Sequence, residues 1–343
     1  MTDNKKRKRL FWQVPFLLAL IAGTVYIIRQ QQSMPYQHDS GFIFGTVYNI
    51  TYQSDQNLQN EIVAQLNKVD ASLSTFNKGS IISQVNMNKD VAVDDMFREV
   101  FEQAQQISAE TGGAFDITVA PMVNLWGFGF KNNMHPSPQT IDSLRAIVGY
   151  KKVSLAANRV KKQDRRIMLD CSAIAKGYGC DVVARYLRSK DIKNFMIEIG
   201  GEVVTSGISE KRLPWRIGVT KPTDDSTHID QELQTVLNVT DKAMATSGNY
   251  RNFYYKGGKK YAHTIDPKTG RPVQHSLLSA TVLAPNCATA DAYATAFMVM
   301  GIEKAKQVLQ KHPELMAYFI YADAEGKTSI WHSPSMDGKF VAE

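Results

Sequence analysis

The feature that most constrains this chain is an uncharged run, FWQVPFLLALIAGTVYII (Phe11 to Ile28), set directly behind Lys5, Lys6, Arg7, Lys8 and Arg9. As a helix, 18 residues reach about 27 Å, close to the thickness of a bilayer's hydrocarbon core. A basic flank on one side fixes the orientation, with residues 1–10 as a cytoplasmic stub and everything after Arg29 outside. A cleaved signal peptide is the alternative. The run is longer than a usual signal core, however, and no clean small-x-small site follows it. No cysteine follows it either, which excludes a bacterial lipoprotein anchor. The expected organisation is therefore a stub at 1–10, a transmembrane signal anchor at 11–28, a polar linker at 29–40 (RQQQSMPYQHDS) and one exported domain at 41–343.

Charge supports this division. Of the 40 basic and 33 acidic residues, six basic and one acidic lie in the first 33 positions, so the formal +7 is concentrated at the N-terminus. The remaining body is close to neutral and has no long basic run, which argues against nucleic acid as a partner. Apolar residues make up 43% of the chain, ordinary for a folded domain. Cys171, Cys180 and Cys287 form neither a disulfide framework nor a Cys/His metal pattern, and read as small buried side chains.

Along the domain, FIFGTVYNITYQ alternates and is rich in β-branched and aromatic residues, as a strand should be. Residues 57–74 place Ile62, Val63, Leu66, Val69 and Leu73 at helical spacing. A second helix runs from about Asp94 to Thr111 and ends at Gly112-Gly113. Strands are expected around 151–170, 195–207, 215–220 and 277–284, and helices at 173–189 and 288–311. Strands and helices mix without a βαβ rhythm, so the fold class is α+β, with mixed, largely antiparallel sheets and flanking helices.

Six segments could carry chemistry. TGGAFDITVAPMVNLWGFG (111–129) sets Phe115, Asp116 and Trp126 among glycines, which allow close backbone approach. In LDCSAIAKGYGCD (169–181), Asp170 and Ser172 are possible caps of a helix beginning near Lys176, and a helix N-terminus beside a lysine suits phosphate. Gly177 and Gly179 each cost that helix about 1 kcal/mol relative to alanine, a cost retained where something must come close. Gly200-Gly201 interrupts a strand in IEIGGEVVTSG (197–207), marking a bulge or a close approach. MATSGNYRNF (244–253) and the DPKTGRP part of YAHTIDPKTGRP (261–272) are turn chemistry. His263, just ahead of the latter, can take a proton near neutral pH. In CATADAYATAFMVMG (287–301), Asp291 and Thr295 lie four apart, so both oxygens leave one helical face, as a hard cation requires. Each segment alone also has an ordinary structural explanation: a cap, a turn, a solvated lysine, a hydrogen-bonded histidine.

Taken in order, GTVYNITY, LSTFNKGSIISQVN, GGAFDITVAPMVNLWGFG, LDCSAIAKGYGCD, IEIGGEVVTSG, ATSGNYR, HTIDPKTGRP and ADAYATAFMVMG resemble the ApbE family of FAD:protein FMN transferases over about residues 41–340. The resemblance implies a T-fold-like domain and a Mg2+-dependent reaction: FAD is split, FMN is esterified onto a threonine or serine of an acceptor protein, and AMP leaves. It also implies metal ligands at Asp291, Thr295 and the Ala173 carbonyl, and FAD contacts at Ala114, Phe115, Asp116, Asp170 and Lys176, with His263 and Ile265 nearby. Phe44 and Phe76 stand where the family often has Met and Tyr. Phosphoryl transfer needs positioning and charge neutralisation, so Lys176 supplies positive charge and His263 is the candidate base, with Asp116 as its substitute. The implied acceptors are flavoprotein subunits of sodium-pumping NADH:quinone reductase, Rnf-type complexes or exported reductases. The implied location is the bacterial inner membrane, single-pass, with the catalytic domain in the periplasm. An FAD pyrophosphatase, with water as acceptor, and a non-catalytic flavin-binding protein are the alternatives.

Overall fold

The computed structural model describes residues 13–25, 34–128, 136–222, 232–249, 253–256 and 259–341. Helix α1 (13–25) covers the middle of the apolar run; the basic stub, the ends of the run and residues 29–33 lie outside the described residues. Among the described residues no helix is long and apolar enough to cross a membrane.

The domain opens with a hairpin of β1 (Tyr36–Ile43) and β2 (Thr46–Gln53), followed by α2 (Gln59–Leu73), α3 (Ile81–Asn86) and α4 (Asp95–Glu110). Short helices α5 (Ala120–Leu125) and α6 (Pro138–Arg145) precede a small hairpin of β3 (Val153–Ala156) and β4 (Arg159–Lys162). Helix α7 (Ala175–Ser189) leads into β5 (Phe195–Ile199) and β6 (Glu202–Ser206). Next come β7 (Trp215–Thr220), β8 (Leu233–Val239), β9 (Ala243–Gly248), β10 (Phe253–Lys256), β11 (Lys259–Ala262), β12 (Ile265–Asp266) and β13 (Arg271–Pro272). The chain finishes with β14 (Leu277–Ala284), α8 (Cys287–Met300), α9 (Ile302–Leu309), β15 (Met316–Ala322) and β16 (Thr328–His332).

Eight strands form one sheet in the order β1-β2-β5-β6-β9-β14-β15-β16, and every neighbouring pair is antiparallel. The expected α+β architecture is therefore present. Helix α7 packs on β5 and β6, and α8 packs on β9 and β14. Their core includes Ile50, Tyr52, Ile62, Leu66, Val183 and Phe195 on one side and Phe97, Tyr178, Phe297 and Phe319 on the other. The opposite face of the sheet is closed by the β7–β8 hairpin, whose Ile217, Val219, Leu237 and Val239 meet Val203, Leu283 and Ile320.

Local sequence explains most element ends. In α2, Ile62, Leu66, Val69 and Leu73 are buried one turn apart. The Asp94 side chain accepts from Phe97 N at 2.8 Å and starts α4. Asn286 does the same for α8 through Thr289 N at 2.9 Å.

Five expectations need correction: to begin with, Met244 to Gly248 of the segment expected as a turn (244–253) belong to strand β9 and pair with β14. FIFGTVYNITYQ is not one strand, because Phe44 (φ 52°) and Gly45 (φ 76°) make a two-residue turn with the positive dihedrals a tight hairpin demands. Residues 36–40, expected in the linker, are the first part of the edge strand β1, whose exposed positions in this stretch, His38 and Ser40, are polar. Gly200 and Gly201 (φ 63° and 104°) form the β5–β6 turn rather than a bulge, while the close approach expected as the other reading is present: a Cβ on Gly200 would stand 2.8 Å from Thr46 Cγ2. The helix expected over 288–311 breaks at Gly301 (φ 77°), giving α8 and α9.

Candidate active site

The cavity that gathers the predicted residues measures about 490 Å³ and lies between α7, α8, the β5–β6 turn and the loop 114–128. Phe44, Phe76, Ala114, Phe115, Asp116, Asp170, Ala173, Lys176, His263, Ile265, Asp291 and Thr295 all line it. Sequence segments as much as 251 positions apart (Phe44 and Thr295) thus line one cavity, although individually each admitted a plainer explanation.

The two glycines of α7 explain how the helices come together. A Cβ on Gly177 would stand 2.4 Å from the Cys287 carbonyl oxygen, and one on Gly179 would stand 2.7 Å from the Phe44 ring. What approaches closely at these positions is the N-terminus of α8 and an aromatic wall of the cavity. The first turn of α7 is irregular. Gly177 N, which would bond the Ala173 carbonyl in a continuing helix, donates instead to Asp291 Oδ2 at 3.1 Å. No described group donates to that carbonyl. Asp170 and Ser172 do not cap α7, whose cap residue is Ile174. Asp170 Oδ1 instead accepts from Ser172 N at 2.8 Å and Ser172 Oγ at 2.5 Å, shaping the turn before it.

At the centre of the site, Lys176 Nζ lies 2.6 Å from Glu202 Oε1. Asp291, from the next helix, is 5% exposed. Burial pulls Lys176 toward neutrality, but the carboxylates of Glu202 and Asp291 outweigh it and raise its pKa, so it stays an ammonium. Burial pushes Glu202 up to about 7, opposed by Lys176 and reinforced by Asp291. It raises Asp291 as well, against the pull of Lys176 and the Gly177 N–H. Glu202 was not among the residues singled out from the sequence; its only local signal is that it follows Gly200-Gly201.

Asp116 is also buried, and burial raises its pKa. Its Oδ1 accepts from Thr118 N (2.8 Å) and Thr118 Oγ1 (2.6 Å), and its Oδ2 from Tyr150 N (2.7 Å). Both oxygens are thus used in holding the loop together. His263 is half-buried and meets the Phe128 ring edge-on at 6.4 Å. The neighbouring Thr264 Oγ1 donates to Asn249 Oδ1 at 2.7 Å, tying the HTIDP and TSGN segments together; Tyr250, Arg251 and Asn252 of the latter motif, and Gly129 of the former loop, lie outside the described residues. Asn86, also unanticipated, clamps the cavity wall by exchanging two hydrogen bonds with the Leu169 backbone, at 2.7 and 2.8 Å.

Among the described residues no three His, Cys, Asp or Glu side chains cluster as a metal site. The available donors are a buried carboxylate, the Thr295 hydroxyl and the Ala173 carbonyl freed from helix bonding. All are oxygens, a set that fits a hard cation such as magnesium and leaves room for water and phosphate ligands.

Fold and cavity define an α+β enzyme whose site joins aromatic walls to one lysine and a group of oxygen donors. The chain belongs to the ApbE family, whose sequence profile matches residues 44–319. It is 38% identical over 312 residues to the FAD:protein FMN transferase of Vibrio cholerae, covering 87% of this chain and 92% of that protein. It is also 38% identical over 304 residues to the FAD:protein FMN transferase of Haemophilus influenzae, covering 84% and 87% of the two chains. Its fold is similar to the solved flavin transferase ApbE from Vibrio cholerae, with a TM-score of 0.80, 36% identity, and coverage of 89% of this chain and 99% of that one.

Proposed function

We propose that this chain is a magnesium-dependent FAD:protein FMN transferase, which moves FMN from FAD to a threonine or serine hydroxyl of an acceptor flavoprotein and releases AMP. The observation that carries this reading is the meeting of Lys176, Asp291, Thr295 and the freed Ala173 carbonyl on the wall of a cavity that also contains Phe44, Phe115, Phe128 and His263. The names of the similar proteins support it.

Each residue has a role set by its chemistry. Lys176, kept charged by its two carboxylates, neutralises pyrophosphate oxygens. Asp291, Thr295 and the Ala173 carbonyl would hold the cation. When bound, magnesium would supply Lewis-acid neutralisation of phosphate charge. The aromatic walls orient the flavin ring and exclude water, which favours a protein hydroxyl over hydrolysis. The acceptor oxygen forms a bond to the FMN phosphorus as the bond to the AMP oxygen breaks, and the hydroxyl proton passes to His263. Asp116 is the poorer base, because three donors already occupy its oxygens.

A single-pass inner-membrane anchor with the catalytic domain in the periplasm belongs to this proposal on the strength of residues 5–28. It would place the enzyme beside flavoprotein subunits of sodium-pumping NADH:quinone reductase, Rnf-type complexes or exported reductases.

The test is incubation of the full-length protein with FAD, Mg2+ and such a subunit, followed by in-gel flavin fluorescence and nucleotide analysis. A fluorescent acceptor band with equimolar AMP is expected. Free FMN with AMP and no labelled protein would indicate an FAD pyrophosphatase, and FAD bound without turnover would indicate a carrier.

A further inference from the structure

In the assignment above Glu202 only keeps Lys176 charged, yet it holds an unsatisfied buried oxygen within the cavity. It opens β6 directly after the Gly200-Gly201 turn and is 4% exposed. Oε1 takes the Lys176 ammonium at 2.6 Å. Oε2 is buried with no hydrogen-bond partner among the described residues. Two nearby donors are committed elsewhere: Gly201 N donates to Glu198 Oε1 at 2.7 Å, and the Cys180 thiol donates to the Glu202 carbonyl at 3.3 Å. A buried polar atom without a partner calls for an explanation, and a ligand that supplies the partner is one.

Charge points the same way. Asp291 is near enough to repel Glu202, and both carboxylates draw on the one ammonium of Lys176. With both carboxylates ionised they outnumber the one ammonium, the reverse of what an anionic pyrophosphate requires, and burial resists that state by raising both pKa values. A divalent cation reverses that sign. Asp291 on α8 and Glu202 at the head of β6 both line the cavity and interact electrostatically, so one ion between them would answer both charges.

We propose that Glu202 is a further protein ligand of the divalent cation, with its second carboxylate oxygen joining Asp291, Thr295 and the Ala173 carbonyl. This rests on the metal-dependent reading of the same site. The all-oxygen donor set selects magnesium or manganese over softer ions. If Glu202 were only the counter-ion of Lys176, its charge alone would matter, and Glu202→Asp, which keeps the charge but draws the carboxylate back, would bind the cation as the wild type does.

The experiment uses the full-length protein, stripped with chelator and titrated with Mn2+ in the absence of FAD, with free Mn2+ followed by electron paramagnetic resonance. The wild type should bind Mn2+, Glu202→Gln should bind about 10-fold or more weakly, and Glu202→Asp should fall between. Metal-free Glu202→Gln should melt below the wild type, because Lys176 loses its buried ion-pair partner, and the Mn2+-induced rise in Tm should shrink. Wild-type Mn2+ affinity in a folded Glu202→Gln variant would overturn the inference. If that variant does not fold, wild-type affinity in Glu202→Asp would overturn it equally. A wild type that transfers FMN while Glu202→Gln keeps its Mn2+ affinity sinks the role of Glu202 alone; a wild type that binds no Mn2+ and transfers nothing sinks the metal-dependent reading with it.

Discussion

Gly177 presses against the carbonyl of Cys287 so closely that a methyl group on it would sit 2.4 Å from that oxygen and 2.9 Å from Ala288 N. Both are backbone atoms of the neighbouring helix and cannot swing aside. Alanine is favoured over glycine in helices by about 1 kcal/mol, but here overpacking costs about 1–3 kcal/mol, and more where backbone must move. Gly177→Ala should therefore lower Tm. Because Gly177 N bonds Asp291 and Lys176 is the adjacent residue, parting α7 from α8 should also slow FMN transfer by about 10-fold or more. Thermal melting with an activity assay checks both; an unchanged Tm would mean that the helices have slack here.

Gly179 makes the instructive contrast. Its added methyl would meet the Phe44 ring at 2.7 Å, and a ring on a side chain can rotate away. Gly179→Ala should thus cost little stability, within about 1 kcal/mol. Since Phe44 lines the cavity, the displaced ring should raise KM for FAD several-fold while Tm stays near the wild-type value. A large fall in Tm with unchanged KM would contradict this.

The pairing of these glycines shows what the sequence could express. Two helix-weakening glycines around Lys176 announce a close approach, but the partners, Cys287 and Phe44, are more than a hundred residues away on either side. Periodicity marks α2 and α4, and the strands at 215–220 and 277–284 fall where the β-branched runs do. It fails at Gly301 because α8 is apolar nearly all round, with Ala290, Ala292, Tyr293, Ala294 and Phe297 all buried. Such a helix has no polar stripe whose phase could reveal the break. The Phe44 turn is hidden for another reason: phenylalanine at positive φ is unfavourable, and only its role as a cavity wall explains it there. Asp291 and Thr295 are legible from spacing along one helix. Glu202 is not, since its meeting with Lys176 depends on how the sheet packs beneath α7.

Asp291 should separate activity from stability. It is buried with a raised pKa, so its charge is held at a cost to the fold. Asp291→Asn keeps its shape and a hydrogen-bond acceptor for Gly177 N while removing the charge. FMN transfer should fall by about 100-fold or more, as expected for a lost metal ligand and its charge, and Tm without metal should stay level or rise. Added Mg2+ should raise the wild-type Tm and leave the variant's nearly unchanged. Differential scanning fluorimetry with and without Mg2+ measures this, and a variant that loses Tm together with activity would reduce Asp291 to a structural role.

Asp181 provides a pH test independent of catalysis. Its carboxylate accepts Cys287 N and Ala288 N, both at 2.8 Å, and so secures the start of α8. Burial nevertheless pushes its pKa up to about 6, above the ~3.9 of an unfolded aspartate. Between these values the folded chain binds more protons at this site than the unfolded chain does. Stability must therefore fall as pH rises from about 4 to about 6, by no more than about 1.4 kcal/mol per pH unit, and this site adds no further change above that window. Glu202 and Asp291, also raised, contribute slopes of the same sign, so the diagnostic is the difference between wild type and Asp181→Asn. Asparagine does not titrate; its carbonyl can accept only one of the two N–H donors well, which lowers its stability by a constant amount. The wild type's advantage in Tm should thus be largest near pH 4, shrink through pH 6 and then level off. Melting curves that run parallel across that range would show that Asp181 titrates alike in the folded and unfolded chain.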